Sequence, residues 1–283
     1  MLLISDKTLK WIENYLKNPS HSLILVSRSS KDCNEIANFV AQRLLKLKSL
    51  AELEKYPFFF KVTRDKQNIK ADDIRALIKT LKLKTFGDQS IRRICVVYDA
   101  QLLNNASQSA LLKSLEEPPL DTVIILATTS LKKIYKTIQS RSTILNITRP
   151  SLVEFKNEFK DSKNVESFYS YTSGSVNEFI DNISKYEDLN DNTYIKTVKK
   201  FLAAGKLERL LMQDDFCNKD VSYEEILSTL KQVVYLAMQN TLLEKSEKSF
   251  FWLKYLSVIQ KTEDEFQAGV SKKLSFTNLC LHL

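Results

Sequence analysis

Five short apolar runs constrain this chain more than any other feature: Leu23-Ile24-Leu25-Val26, Phe58-Phe59-Phe60-Lys61-Val62, Ile94-Cys95-Val96-Val97-Tyr98, Val123-Ile124-Ile125-Leu126 and Thr143-Ile144-Leu145-Asn146-Ile147. They are too short for buried helices and mostly apolar at consecutive positions, the pattern of strands covered on both faces. The intervening segments have helical spacing. One is the stretch 35–45, with Ile36, Phe39, Val40, Leu44 and Leu45 on one face. Another is a helix capped by Ala71-Asp72-Asp73 and carrying Ile74, Leu77, Ile78 and Leu81. Residues 5–18, with Leu9, Ile12 and Leu16 in phase, predict a helix ahead of the first strand. Strands alternating with helices predict a mainly parallel sheet flanked by helices. Pro150 closes this region. Short helical patterns such as Val176 to Ile183 follow, and beyond about residue 192 the chain reads almost wholly helical, strongest over Tyr223–Met238 and Phe250–Ile259. The expected organisation is an α/β domain over 1–149, a small helical domain over 150–190 and an all-α domain over 191–283.

Composition narrows the function classes. No apolar run approaches the roughly 18 residues that span a bilayer, and the first residues lack the pattern of a signal peptide, so a cytoplasmic location is the expectation. The four cysteines form no Cys-x-x-Cys pair and the histidines are His21 and His282 alone. A disulfide framework, a metal site and a histidine-based catalytic centre are therefore not expected. Residues 1–148 hold 24 lysines and arginines against 14 acidic residues, and the remainder 18 against 20. This asymmetry suits a polyanionic or acidic partner for the N-terminal part, and equally a solvated lysine-rich surface.

The strand at 23–26 and the helix that follows it are ordered as in a phosphate-binding loop. Such a loop reads Gly-x-x-x-x-Gly-Lys-Ser/Thr, because glycines let backbone N–H groups close on phosphates and the lysine reaches the β and γ oxygens. Here the connection is Ser27-Arg28-Ser29-Ser30-Lys31-Asp32-Cys33-Asn34, and the first glycine in the chain is Gly87. Lys31 could still touch a phosphate, whereas Asp32 would repel one. The third strand ends in Asp99, where a nucleotide motor places a Mg²⁺-holding aspartate. The next residue, where many motors carry a water-activating glutamate, is Ala100, which cannot take a proton. Asp99 has a structural reading as well, as a cap on the following turn. Asn104 or Asn105 then caps a helix running to Glu117, with Ala106, Ala110, Leu111 and Leu115 as its buried face and Pro118-Pro119 as its stop.

The string Asn105-Ala106-x-x-x-Ala110-Leu111-Leu112-Lys113-x-Leu115-Glu116-Glu117-Pro118-Pro119, followed by Leu126-Ala127-Thr128-Thr129 and Ser140-Arg141-Ser142, resembles the clamp-loader branch of the AAA+ proteins. Within that branch the chain is most similar to the δ′ (delta prime) type of bacterial DNA polymerase III clamp-loader subunit. Ile69 to Leu81 and the Gly174-Ser175 turn also fit. The likeness is strong over 20–148, recognisable to about 185, and architectural beyond.

The resemblance implies an AAA+ α/β domain with a degenerate P-loop, a helical lid and an all-α collar, joined to other subunits in a hetero-pentameric ring. In that family ATP sites lie between subunits, and a Ser-Arg-Cys arginine of one subunit completes its neighbour's site. The matching residue is Arg141, supported by Ser140, with Ser142 where the family has cysteine; the alternative for Arg141 is an ordinary surface cation. The sensor-1 place falls on Thr128 or Thr129. The sensor-2 place falls on Asn177, where hydrolysing relatives carry arginine. No zinc-module cysteines stand between Arg43 and Pro57.

The function so implied is that of a subunit without intrinsic activity, cofactor or metal. Ser27, Arg28, Ser29, Ser30, Lys31, Asn34 and Asp99 are the remnants of its nucleotide site, and Arg141 is an arginine finger donated in trans. Its partners would be γ/τ-type ATPase subunits and a δ subunit and, through the complex, the sliding clamp and primed DNA. Two alternatives stay open: an active γ/τ-type ATPase that binds nucleotide at Ser27–Asn34, and a DNA-binding AAA+-like adaptor outside any ring.

Overall fold

In the computed structural model, which describes residues 3–64, 68–81, 84–86, 89–160, 162–218, 221–243 and 248–283, the N-terminal half carries the five expected strands. They are β1 (Ser22–Val26), β2 (Phe59–Val62), β3 (Arg93–Val97), β4 (Thr122–Thr128) and β5 (Thr143–Asn146), in the spatial order β2-β3-β4-β1-β5. Every pairing is parallel. Gly87 lies outside the described residues.

The helices of this half are α1 (Asp6–Lys17), α2 (Ser30–Leu44), α3 (Leu50–Lys55), α4 (Ala71–Thr80), α5 (Asn105–Glu116) and α6 (Lys136–Gln139). Their division between the sheet's faces follows from strand order. The step from β1 to β2 runs one way across the sheet, whereas β2 to β3, β3 to β4 and β4 to β5 run the other. Right-handed crossovers then put the connecting helices on opposite faces. Leu23, Leu25, Ile94, Val96, Val123 and Ile125 pack in one core with residues of α1, α2 and α3. Ile24, Cys95, Val97, Ile124 and Leu126 pack in the other with α4, α5 and α6. Alternate residues of each central strand thus feed different cores, and consecutive apolar residues are the sequence trace of this arrangement. Each fully buried Ile or Leu in β4 is worth about 1.5–3 kcal/mol.

Three local expectations change. Helix α2 begins at Ser30, five residues before the apolar periodicity starts, because Ser29 caps it and no glycine holds the connection open. In α5, Asn104 is the cap, accepting from the Ser107 N–H at 2.8 Å. Ala106 is exposed, and the buried face carries Ser107, Gln108 and Ser114 beside Leu111 and Leu115. In α4 the cap residue is Lys70, whose N–H donates to the Asp73 carboxylate at 2.9 Å.

The rest of the chain is helical: α7 (Leu152–Glu158), α8 (Val165–Tyr171), α9 (Val176–Lys185), α10 (Thr193–Ala203), α11 (Lys206–Leu211), α12 (Gln213–Cys217), α13 (Tyr223–Leu243), α14 (Lys248–Gln267) and α15 (Lys272–His282). Contacts divide the molecule into two compact units, Met1–Glu154 with Ser175–Asn177, and Phe155–Gly174 with Glu178–Leu283. The second is built on aromatic packing. Phe155, Phe159, Phe168 and Phe179 cluster, and Phe201, Phe216 and Phe276 form a triad with centroids 4.8–5.9 Å apart. Among the described residues no helix is long and apolar enough to cross a membrane.

Candidate functional site

The connection after β1 is only Ser27-Arg28-Ser29 before α2 starts, and its polar groups bond to one another. The Ser27 N–H donates to the Thr128 carbonyl at 3.1 Å. Ser27 Oγ accepts from the Ser29 N–H at 3.4 Å, and Ser29 Oγ accepts from the Asp32 N–H at 3.3 Å. Three N–H donors of this connection, those of Ser27, Ser29 and Asp32, are therefore engaged within the chain. Ser27 and Ser29 are buried, Arg28 and Lys31 exposed, and Ser30 and Asn34 half-buried. Asn34 Oδ1 is enclosed without a hydrogen-bond partner among the described residues. Cys33, on the first turn of α2, is buried with Sγ 3.4 Å from the Leu25 carbonyl, and burial pushes its thiol up to about 12. Its surroundings are those of a buried, packed thiol.

Asp99 sits just past β3 with a left-handed backbone, φ 50°. Asp99 is the N-cap residue of the turn Ala100–Leu102 and its carbonyl accepts from the Leu102 N–H at 2.8 Å, but its side chain makes no cap bond there. It accepts instead from the Ser30 hydroxyl, and from Gln101 Nε2 at 3.1 Å. Gln101 Oε1 in turn accepts from the Thr129 N–H at 3.0 Å. Ala100 is completely buried and packs in the sheet core, so no acid could stand there without burying its charge. Thr128 Oγ1 is engaged with Ser130, accepting from its N–H at 3.1 Å. Side-chain hydrogen bonds thus link Ser30, Asp99, Gln101 and the Thr129 N–H in one line across the ends of these strands.

Asp32 completes the closure. Its carboxylate is buried and accepts from the Val176 N–H at 3.2 Å, the Asn177 N–H at 2.9 Å and Asn177 Nδ2 at 2.8 Å. An anion belongs at a helix N-terminus, where backbone N–H groups lack intrahelical partners. Here the protein's own carboxylate fills that role at the start of α9. The cavity beside it, lined by Ile4, Ser27, Ile36, Ile147, Pro150 and Val176 among others, measures about 20 Å³, room for a single water molecule rather than a nucleoside.

Arg141 lies elsewhere. The loops holding Ser27, Asp99 and Thr129 follow the C-terminal ends of their strands, whereas Arg141 precedes β5, whose first residue, Thr143, pairs with Leu23 near the start of β1. A five-residue strand spans about 16 Å, longer than an arginine side chain, so Arg141 and this chain's own loop sit at opposite ends of the sheet. Arg141 is exposed. Its Nη1 donates to the Thr137 carbonyl at 3.1 Å and its Nη2 lies 2.9 Å from Glu116 Oε1. Ser140 ends α6 and donates through Oγ to the Thr137 carbonyl at 3.0 Å. Ser142, in the place of the family's cysteine, anchors the turn through the Ile138 carbonyl and Ser22 Oγ, both at 2.8 Å.

Two glutamines unremarked in the sequence hold the segment that carries Arg141. Buried Gln108 of α5 donates to the Leu103 and Lys133 carbonyls at 3.2 and 2.9 Å and accepts from the Tyr135 N–H at 2.8 Å. Gln139 donates to the Leu131 and Ile134 carbonyls at 2.9 and 2.7 Å. The available signal was Gln108 itself, a polar residue in register with Leu111 and Leu115 on a buried face.

Residues 5–151, which contain both the closed loop and Arg141, match the protein family described as DNA polymerase III, delta subunit. The chain belongs to this DNA polymerase III delta-subunit family. The DNA polymerase III subunit gamma of Buchnera aphidicola subsp. Schizaphis graminum (strain Sg) is 25% identical to this family member over 189 residues, 62% of this chain and 51% of that protein. The chain thus spans about half the length of that curated relative. Among solved structures, a DNA polymerase III gamma subunit-related protein from Thermotoga maritima MSB8 superposes with a TM-score of 0.59 at 16% identity, covering 98% of both chains. That likeness is one of fold, and it agrees with the parallel sheet and helical C-terminal region expected for an AAA+ clamp-loader chain.

Proposed function

We propose that this delta-family chain is a non-hydrolysing, δ′-type clamp-loader subunit of DNA polymerase III, acting in DNA replication in the cytoplasm. The single observation that carries the reading is the opposition of two sites. The connection where a nucleotide-binding loop would stand is tied up within the chain, through Asp32 and through the hydrogen bonds linking Ser30, Asp99, Gln101 and Thr129. Arg141, at the other end of the sheet, is exposed. From there Arg141 is out of reach of this chain's own loop, which supports a role towards another subunit. Presented to a neighbouring γ/τ-type subunit, it would stabilise charge on the transferring phosphoryl group, an effect worth about 10³–10⁵ in rate at the site it completes. In this reading residues 150–190 form the lid and 191–283 the collar through which the chain joins γ/τ-type and δ subunits in a hetero-pentamer. The assembled ring would place the sliding clamp on primed DNA. The basic N-terminal half suits a ring that encloses a phosphate backbone.

Because both relatives named above are gamma subunits or related to them, an active ATPase is the competing reading, and it requires nucleotide to bind at Ser27–Asn34. A loader reconstituted with Arg141→Ala is expected to assemble normally and to lose DNA-stimulated ATP hydrolysis at the adjacent site. Unchanged hydrolysis would refute the proposal. Micromolar ATP binding by the isolated chain would favour the ATPase.

A further inference from the structure

Glu116 and Glu117 close α5 just ahead of Pro118-Pro119. Acidic residues are unfavourable there, because the helix C-terminus carries the negative end of the macrodipole and a cation is preferred. Helix stability does not account for an acid at this position, but its partner does: Glu116 Oε1 lies 2.9 Å from Arg141 Nη2. Both terminal nitrogens of Arg141 are thus engaged within its own chain, Nη2 by Glu116 and Nη1 by the Thr137 carbonyl. A guanidinium paired with a carboxylate is close to electroneutral, and it offers little net charge to a phosphoryl group whose charge is growing. We infer that Glu116 is a positioning residue that parks Arg141 in a resting state, from which docking against a neighbour's nucleotide releases it.

This inference rests on the trans-arginine reading above. The pair is built to exchange. Its side chains are 38% and 51% exposed, so the contact is weak and salt-screened, and a polyphosphate, with more charge and several acceptor oxygens, displaces a single carboxylate. A fully buried pair would hold the arginine too firmly to be surrendered. The pairing also keeps the unassembled chain from presenting an unpaired guanidinium to free nucleotide or nucleic acid.

The test uses the reconstituted loader with wild type, Glu116→Gln, Arg141→Ala and the double variant, titrating this subunit and reading DNA-stimulated ATP hydrolysis. Glu116→Gln is expected to lower the half-saturating subunit concentration by about two- to five-fold, the range a partly exposed ion pair is worth. The change should be larger in that concentration than in maximal rate, it should shrink at high salt, and it should vanish when Arg141 is alanine. A Glu116→Gln titration identical to or weaker than wild type overturns the parking role while Arg141→Ala remains defective. The same gain in the Arg141→Ala background also overturns it, because Glu116 would then act through something else. If Arg141→Ala itself hydrolyses ATP normally, the trans-arginine reading fails, and the parking role with it.

Discussion

Replacing Asp32 measures how much of the closed loop depends on one carboxylate. Asp32 is 8% exposed and accepts three hydrogen bonds, from the N–H groups of Val176 and Asn177 and from Asn177 Nδ2. Asp32→Ala removes both acceptor oxygens, and with them all three hydrogen bonds, two of them from backbone donors at the start of α9. A lost helix cap costs about 0.5–2 kcal/mol, and a hydrogen bond to a charged group is worth about 1.5–3 kcal/mol. The contacts share one carboxylate and do not add, so a total near 2–4 kcal/mol is expected. Asp32→Asn keeps one oxygen for the two Asn177 donors but turns an amide NH₂ towards the Val176 N–H, for a cost of about 1–2 kcal/mol. The chain has two tryptophans, Trp11 and Trp252, one in each compact unit. Urea unfolding followed by fluorescence in a Trp252→Phe background therefore reports the N-terminal unit through Trp11. With m of about 2 kcal/mol/M, Asp32→Ala moves the midpoint down by about 1–2 M at unchanged m. An alanine variant within about 0.5 kcal/mol of wild type, or equal costs for the two variants, would refute the idea that the carboxylate fills the place of an anion.

Gln108→Ala unties Lys133 and Tyr135 from α5; it is expected to destabilise the N-terminal unit by about 2–3 kcal/mol and, where Arg141 acts in trans, to depress the neighbour's ATP hydrolysis although Gln108 touches no nucleotide. Wild-type hydrolysis in the reconstituted loader would contradict that. Burial alone would raise Asp121, but hydrogen bonds from Thr85 and Thr122, with Arg93 and Arg92 beside it, outweigh burial and hold its carboxyl below the usual 3.8. A carboxyl lowered by folding stabilises above its unfolded value and loses that contribution as pH falls through the folded one. The thermal-midpoint gap between wild type and Asp121→Asn is therefore expected to be full at pH 6 and to shrink below about pH 4, and a gap independent of pH would show that Asp121 acts only through packing.

The strands were legible because their signal is local. The runs at Leu23, Ile94 and Val123 announce strands buried on both faces, and the observed elements start within a residue or two of them. Helix starts were harder to read. Apolar periodicity places α2 at residue 35, yet the helix begins at Ser30, since hydrogen bonds to a serine cap set its start and carry no hydrophobic signal. The buried face of α5 departs from the apolar pattern, with Ala106 exposed and Gln108 buried, for a related reason. A glutamine is buried when three partners wait for it, and those partners lie up to 27 residues away. Asp32 was legible as a residue hostile to phosphate, but not as the acceptor for residues 144 and 145 positions downstream.

By itself the sequence determined what the chain is made from: a parallel sheet, a connection without glycine, an alanine after Asp99 and an arginine ahead of the last strand. Strand propensity, missing glycines and a missing acid are properties of residues and their near neighbours. Tertiary structure alone decided which partners these polar residues found. Ser30 turned to Asp99, Asp32 to the start of α9, and Arg141 to Glu116 at the far end of the sheet. Those pairings depend on distance and direction between elements, and only the strand order and the right-handed crossovers of the folded sheet supply them.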